Sequence, residues 1–205
     1  MAIASATITD PAEIFPADYF APLVLEDIFG RNAPVEIDLG CGDGSFLAAA
    51  AAANPERNFL GVERLVGRVR SSCRKIEHGS VSNARILRCE ISYAVSQLLP
   101  ANSVAVFHLM FPDPWPKRRH ASRRIVTANF LGSLHRALAP LGLVRIATDE
   151  TEYFRRIERL AAESSQFAAV EEPAGPVAVS TFEKQFRQDG LEIHRLVLRK
   201  VSDVT

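Results

Sequence analysis

The sequence predicts an α/β protein built on a doubly wound, mostly parallel sheet with helices on both faces. Three observations predict it. Short stretches rich in Val, Ile and Leu alternate with helical patterns along the chain, the order that builds parallel sheets. A glycine-rich turn, Gly40-Cys41-Gly42-Asp43-Gly44, lies directly between the first strong strand and the first strong helix. Acids recur where strands end, at Asp38, Glu63, Glu90, Asp113 and Asp149, the sheet edge at which ligands of such folds bind.

The elements follow in order. Val35-Glu36-Ile37-Asp38-Leu39 is a buried strand ended by the glycines. An alanine-rich helix runs from Ser45 to Ala53, and Asn54-Pro55 stops it. Asn58 to Glu63 is the next strand. Leu65, Val66, Val69, Cys73 and Ile76 then recur at helical spacing, with Arg64, Arg68, Arg70, Arg74 and Lys75 on the other faces. A short strand spans 84–87 and a helix 92–99. Residues 103–110 form a strong strand, and the 111–124 loop leads to a helix carrying Phe130, Leu131, Leu134 and Leu138. Gly142 opens a strand over 143–148, a helix covers 151–164, and two late strands span 167–171 and 192–199. The expected division is an N-terminal arm and helix, 1–32, and one domain, 33–205.

The 205 residues, 47% of them apolar, are enough for a real core and exclude a disordered chain. Net charge is zero, but residues 1–30 hold five acids and no Lys or Arg. Positive surface is therefore local, and all 24 basic residues lie beyond that point. Three cysteines without a CxxC pair indicate reduced thiols and a cytoplasmic protein. The longest apolar run, Phe46 to Ala53, is far below the ~18 residues of a membrane span, and no basic n-region marks a signal peptide. The histidines lack metal-ligand spacing, so no metal is expected.

The glycine turn reads G-x-G-x-G, with Ser45 where a dinucleotide fingerprint needs its third glycine. Asp38 before it would repel a pyrophosphate but can pair with an ammonium group. Glu63 is placed for ribose hydroxyls and Glu90 for an adenine edge. A cationic amino acid, a ribose and an adenine together describe S-adenosylmethionine. After the fourth strand of that series comes Phe111-Pro112-Asp113-Pro114-Trp115-Pro116-Lys117-Arg118-Arg119-His120, which sets a carboxylate between two prolines beside the only tryptophan. Five of the nine residues after Trp115 are Lys or Arg, a rim suited to nucleic acid.

This arrangement resembles class I S-adenosylmethionine-dependent methyltransferases. The 111–120 segment with Arg123-Arg124, then Ala147-Thr148-Asp149 and Ser180-Thr181-Phe182-Glu183, is similar to the landmarks of the bacterial tRNA (guanine-N7)-methyltransferases. The resemblance covers roughly residues 33–200. It implies a Rossmann-like fold whose mostly parallel seven-stranded sheet has an antiparallel late strand, and methyl transfer to N7 of a guanine in the tRNA variable loop. It implies further that Asp38, Gly40, Gly42, Gly44, Glu63, Glu90 and Asp113 surround the methyl donor, with Asp113 the active-site acid. Lys117, Asp149, Ser180, Thr181, Phe182 and Glu183 would meet the target nucleotide, and Arg119, His120, Arg123 and Arg124 the tRNA. Glu90 stands where the family usually has Asp, Ser180 where it usually has Thr, and the arm lacks the family's frequent basic residues.

Guanine N7 carries a lone pair and no proton, so its methylation needs no strong base. It needs in-line positioning and a carboxylate to answer the cationic purine that forms. Other readings are a methyltransferase of the same fold acting on another RNA or a small molecule, and a non-catalytic RNA-binding module. The basic run argues against a small-molecule substrate, and the intact glycine turn with Asp38 and Glu63 against a lost donor site. The spacing leaves open whether the chain is a monomer or a homodimer.

Overall fold

The structure, a computed structural model, describes residues 6–8, 12–115, 117–172 and 181–201. The parallel core comprises β3 (Val35–Leu39), β4 (Asn58–Glu63), β5 (Ala84–Arg88), β6 (Val104–Met110) and β7 (Leu138–Thr148). Across the sheet they stand in the order β5-β4-β3-β6-β7. The chain therefore starts in the middle, winds outward one way, and returns to the centre to wind the other way. That reversal between β3 and β6 is the switch point at which doubly wound sheets open a crevice. Beyond β7 the sheet continues with β9 (His194–Lys200), antiparallel to β7, and β8 (Phe167–Val170), antiparallel to β9. These seven strands match the expected mostly parallel sheet with an antiparallel late strand.

Two further strands were not expected. β1 (Ala6–Ile8) and β2 (Glu13–Pro16) pair antiparallel, and β2 runs parallel to β5, so the sheet has nine strands among the described residues. The stretch before residue 33 thus supplies a sheet edge as well as the helix α1 (Leu25–Phe29), and it adds Ile14, Leu23 and Ile28 to the main apolar cluster.

All five residues of β3 and all six of β4 are buried. Both are bounded by breakers in the sequence, Gly40 after β3 and Asn54-Pro55 before β4, which is why these two elements were recognisable to the residue. The faces are separate: Phe59 and Ile86 belong to one apolar cluster, their successors Leu60 and Leu87 to the other. Successive side chains of a strand point to opposite sides, so the clusters lie on the two faces. On one side pack α2 (Ser45–Ala53) and α3 (Val66–His78). On the other lie the helical stretch 91–98, whose first turn is α4 (Ile91–Tyr93) and whose second is π-helical, then α5 (Ala128–Ala137) and α6 (Thr151–Ala162).

α5 begins where Thr127 Oγ1 accepts the amide of Phe130 at 3.2 Å, a side-chain cap that local sequence supplies. β7 begins at Leu138, five residues before the expected start, because its pairing with β6 is irregular: Leu138 faces Val104 and Leu143 faces Val106. A helix not expected from the sequence, α7 (Thr181–Gln188), precedes β9.

Candidate active site

Parallel strands put their carboxyl ends on one edge, and the strand order sets the sequence of acids along it. Reading across the sheet, Glu90 follows β5, Glu63 ends β4, Asp38 lies in β3, Asp113 follows β6 and Asp149 follows β7. The five acids found by position in the sequence come from five adjacent strands. They divide into two unlike halves.

The first half is built around Asp38 and the glycine turn. Gly40, Gly42 and Gly44 all have positive φ, at 80°, 57° and 77°. That left-handed backbone lets the turn double back over the end of β4, where Gly40 N and Cys41 N donate to Val62 O at 2.8 and 3.1 Å. Gly44 has a second constraint, because a Cβ there would lie 2.7 Å from Ser72 of α3. Ser72 Oγ donates to Gly42 O at 3.0 Å, and Lys75 Nζ bonds to Asp43, whose carboxylate also receives the Ser45 amide at 3.1 Å. Asp43, Ser72 and Lys75 were not singled out in the sequence. Their signal lies about thirty residues away along the chain, and only the packing of α3 on α2 joins them.

Asp38 is 3% exposed, and its carboxyl is pushed up to about 7, by burial first and by the Glu63 carboxylate second. A buried acid held near neutrality is suited to an incoming cation, whose charge restores the ionised form. Glu63 is also buried, and its Oε1 accepts the amides of Arg64 and Leu65 at 2.8 and 2.9 Å, with Arg68 3.9 Å from Oε2. These bonds fix the carboxylate while a carboxylate's remaining lone pairs can serve hydroxyls. Glu90 does something the sequence reading overlooked. Its Oε2 accepts the Tyr93 amide at 2.8 Å and so caps the helical stretch that begins at Ile91. Tyr93 in turn donates its hydroxyl to Tyr19 O at 2.7 Å, bringing the N-terminal segment to this corner.

The second half is exposed and strained. Asp113 is exposed, and the residues bounding its Pro-Asp-Pro frame, Phe111 and Trp115, have φ of 55° and 44°. Left-handed backbone in bulky residues costs on the order of 1–3 kcal/mol each and persists only where surroundings enforce it. Several contacts do so. Phe111 N donates to Ala147 O at 2.8 Å, and the Phe111 ring meets Phe186 of α7 at 5.1 Å. The short 3₁₀ helix over Arg118–Arg123 folds back on Trp115, with the Arg123 guanidinium 4.8 Å from its ring centre and His120 edge-on at 5.7 Å.

Lys117, Arg119 and Arg123 are exposed and His120 is half-buried, so these form the basic rim. Arg124 is not part of it, and the expectation of a tRNA contact there is corrected. It is 5% exposed, and its guanidinium donates inward to Pro114 O at 2.7 Å and Trp115 O at 3.3 Å. Asp149 is half-buried at the start of the turn into α6. Ser180 lies outside the described residues, and the side chains of Thr181 and Phe182 do too. Glu183 is buried at 2% and is held by Arg187 at 2.5 Å and by Arg195 of β9, so it anchors α7 to the sheet. Among the described residues no group of three or more His, Cys, Asp or Glu could hold a metal ion, and no helix is long and apolar enough to cross a membrane.

The residues present fit S-adenosylmethionine. A buried carboxyl raised to about 7 is suited to an ammonium group, and Gly42, where a Cβ would meet nothing nearer than 3.9 Å, leaves the backbone of the turn open.

A family model described as "Putative methyltransferase" matches residues 32–196. The chain is similar to the tRNA (guanine-N(7)-)-methyltransferase of Thermotoga maritima, 34% identical over 187 residues, 90% of this chain and 59% of that protein. It is similar also to the enzyme of that name from Halorhodospira halophila, 34% identical over 181 residues, 85% of this chain and 78% of that one. The chain spans about three fifths of the length of several such relatives. Among solved structures, the aminoglycoside resistance methyltransferase NpmB1 superposes with a TM-score of 0.61 at 16% identity, covering 97% of this chain and all of that one. At that identity the likeness shows the fold alone.

Proposed function

The chain belongs to the tRNA (guanine-N(7)-)-methyltransferase family, and from that premise we propose that it methylates N7 of a guanine in the variable loop of tRNA, with S-adenosylmethionine as donor. One observation carries this reading beyond the family. The buried Asp38 with its glycine turn and the exposed Asp113 in its proline frame stand at the ends of the two strands, β3 and β6, that flank the switch point.

On the donor side, Asp38 takes the ammonium group, Glu63 the ribose hydroxyls, and the turn at Gly40, Gly42 and Gly44 lets the backbone approach closely. Glu90 faces the adenine with the carboxylate oxygen that its helix cap leaves over. The donor supplies an electrophilic methyl group on a sulfonium centre.

On the acceptor side, Asp113 and Asp149 accept hydrogen bonds from the N1–H and N2–H₂ edge of guanine. No proton leaves N7, so neither acid is required as a base. Their negative charge lowers the energy of the purine as it becomes cationic, and it acts from a position fixed before the reaction. Pro112 and Pro114 limit the backbone around Asp113, so little reorganisation is required. Lys117, Arg119, His120 and Arg123 meet the phosphates. A stacked guanine must be exposed to enter, at a cost of about a few kcal/mol that these phosphate contacts offset. A cytoplasmic setting agrees with three free cysteines.

The test is incubation with labelled S-adenosylmethionine and bulk tRNA followed by nucleoside analysis. The expected product is 7-methylguanosine. Label in another nucleoside, or none in tRNA while donor binds, overturns the proposal.

A further inference from the structure

We propose that Arg124 is a positioning residue for the methyl transfer, holding the strained loop that presents Asp113. This deepens the proposed function and rests on it. Asp113 lies between two anchored points. On its N-terminal side Phe111 N is bonded to Ala147 O, which ties the end of β6 to the end of β7. On its C-terminal side the Arg124 guanidinium gathers the carbonyls of Pro114 and Trp115 in one fork, at 2.7 and 3.3 Å.

The fork matters because Trp115 is left-handed at φ 44°, a conformation the residue would leave if its carbonyl were released. Arg124 is itself seated. Its guanidinium lies 5.2 Å from the ring centre of Tyr153, a fully buried residue of α6 whose hydroxyl accepts the Val126 amide at 3.3 Å. Tyr153 comes just after the turn that carries Asp149, so one guanidinium links the segments bearing both acceptor-side acids. Arg123, its exposed neighbour, lies over the ring of the half-buried Trp115 instead. Two adjacent arginines thus grip the same tryptophan segment, one from within through carbonyls and one from outside through the ring. Only the outer one is free to meet phosphate.

A lysine in place of Arg124 keeps the charge but offers an ammonium group without the planar fork. The test is Arg124→Lys, with Arg124→Met as a second variant that fills the stem's volume without donors, should the buried ammonium prevent folding. Trp115 is the only tryptophan, so its emission and acrylamide quenching report the loop directly. In a folded variant kcat is expected to fall about tenfold or more, while KM for tRNA and Kd for the donor change less than about threefold. Trp115 emission is expected to shift to the red and its quenching to rise. Full kcat with unaltered Trp115 fluorescence in either folded variant overturns the proposal. So does a loss confined to thermal stability, which is what a merely structural arginine would give. The fluorescence arm needs no methylation. A wild-type chain that makes no 7-methylguanosine therefore refutes the function, while unchanged Trp115 signals refute the role of Arg124.

Discussion

The two halves of the sheet edge solve opposite problems. The donor half, from β5 to β3, is closed: Asp38 and Glu63 are buried, and the glycine turn is tied to α3 through Ser72 and Lys75. The acceptor half, from β6 to β7, is open: Asp113, Lys117, Arg119 and Arg123 face solvent on a loop whose first residues include two strained aromatics, Phe111 and Trp115. A small ligand can be surrounded, so its site is prepared by burial and by glycine. A folded RNA cannot be surrounded, and a projecting acid with cations around it suits the acceptor proposed above. Electrostatics acts here through opposite means, desolvation on one side and fixed exposed charge on the other.

The largest effect should come from the open half. Asp113→Asn keeps the shape of the loop and removes the charge proposed to answer the purine cation. The expected loss is about 10²–10³-fold in kcat, with donor and tRNA affinity within about threefold. Unchanged kcat would remove the chemical difference between the halves.

A smaller effect should come from the closed half. Asp38→Asn should weaken donor binding by about 10- to 100-fold by calorimetry, as expected for a lost bond to a charged group. It should also change how stability depends on pH. An unfolded aspartate titrates near 3.9, whereas folded Asp38 does so at about 7. Between those values the folded chain holds the extra proton. The contribution of this group is therefore full at low pH and lost as pH rises through 7. Without donor, the Tm of the wild type should fall relative to Asp38→Asn between pH 5 and pH 8, and saturating donor should oppose that fall. Parallel curves for the two proteins would show that burial does not govern Asp38.

The smallest effect belongs to the rim. Arg123→Ala should weaken tRNA binding a few-fold and lower the slope of log Kd against log salt by about 0.7–0.9, one phosphate contact. Donor affinity should not move. A changed donor affinity with an unchanged salt slope would mean that the halves are not separable at Trp115.

The legibility of these regions followed the range of the forces that shape them. β3, α2 and β4 were expected with the boundaries observed, because the glycine turn, an alanine run and Asn54-Pro55 are local signals. Glu90 was found by its position after β5, but its cap on Tyr93 was not, although the three-residue spacing was there to read. The β1–β2 pair escaped because strands of three and four residues show no period, and the partner of β2 in the main sheet, β5, lies about seventy residues on. α7 carries Glu183, read only as a nucleotide contact, and the helix stands where Glu183 meets Arg195 and Phe186 meets Phe111.

By itself, the sequence determined which chemistry-bearing groups exist and which strand or loop carries each, because glycine, proline and apolar runs restrict the backbone within a few residues. It therefore placed five acids on five strand ends and set Asp113 between prolines beside Trp115. Only the tertiary structure decided what surrounds those groups. Asp38 becomes a near-neutral acid because other strands and helices remove its water and bring Glu63 beside it. Arg124 turns inward because the carbonyls of a strained loop and the ring of Tyr153 are there to receive it. Burial and partner geometry are sums over the whole fold, and no stretch of sequence contains them.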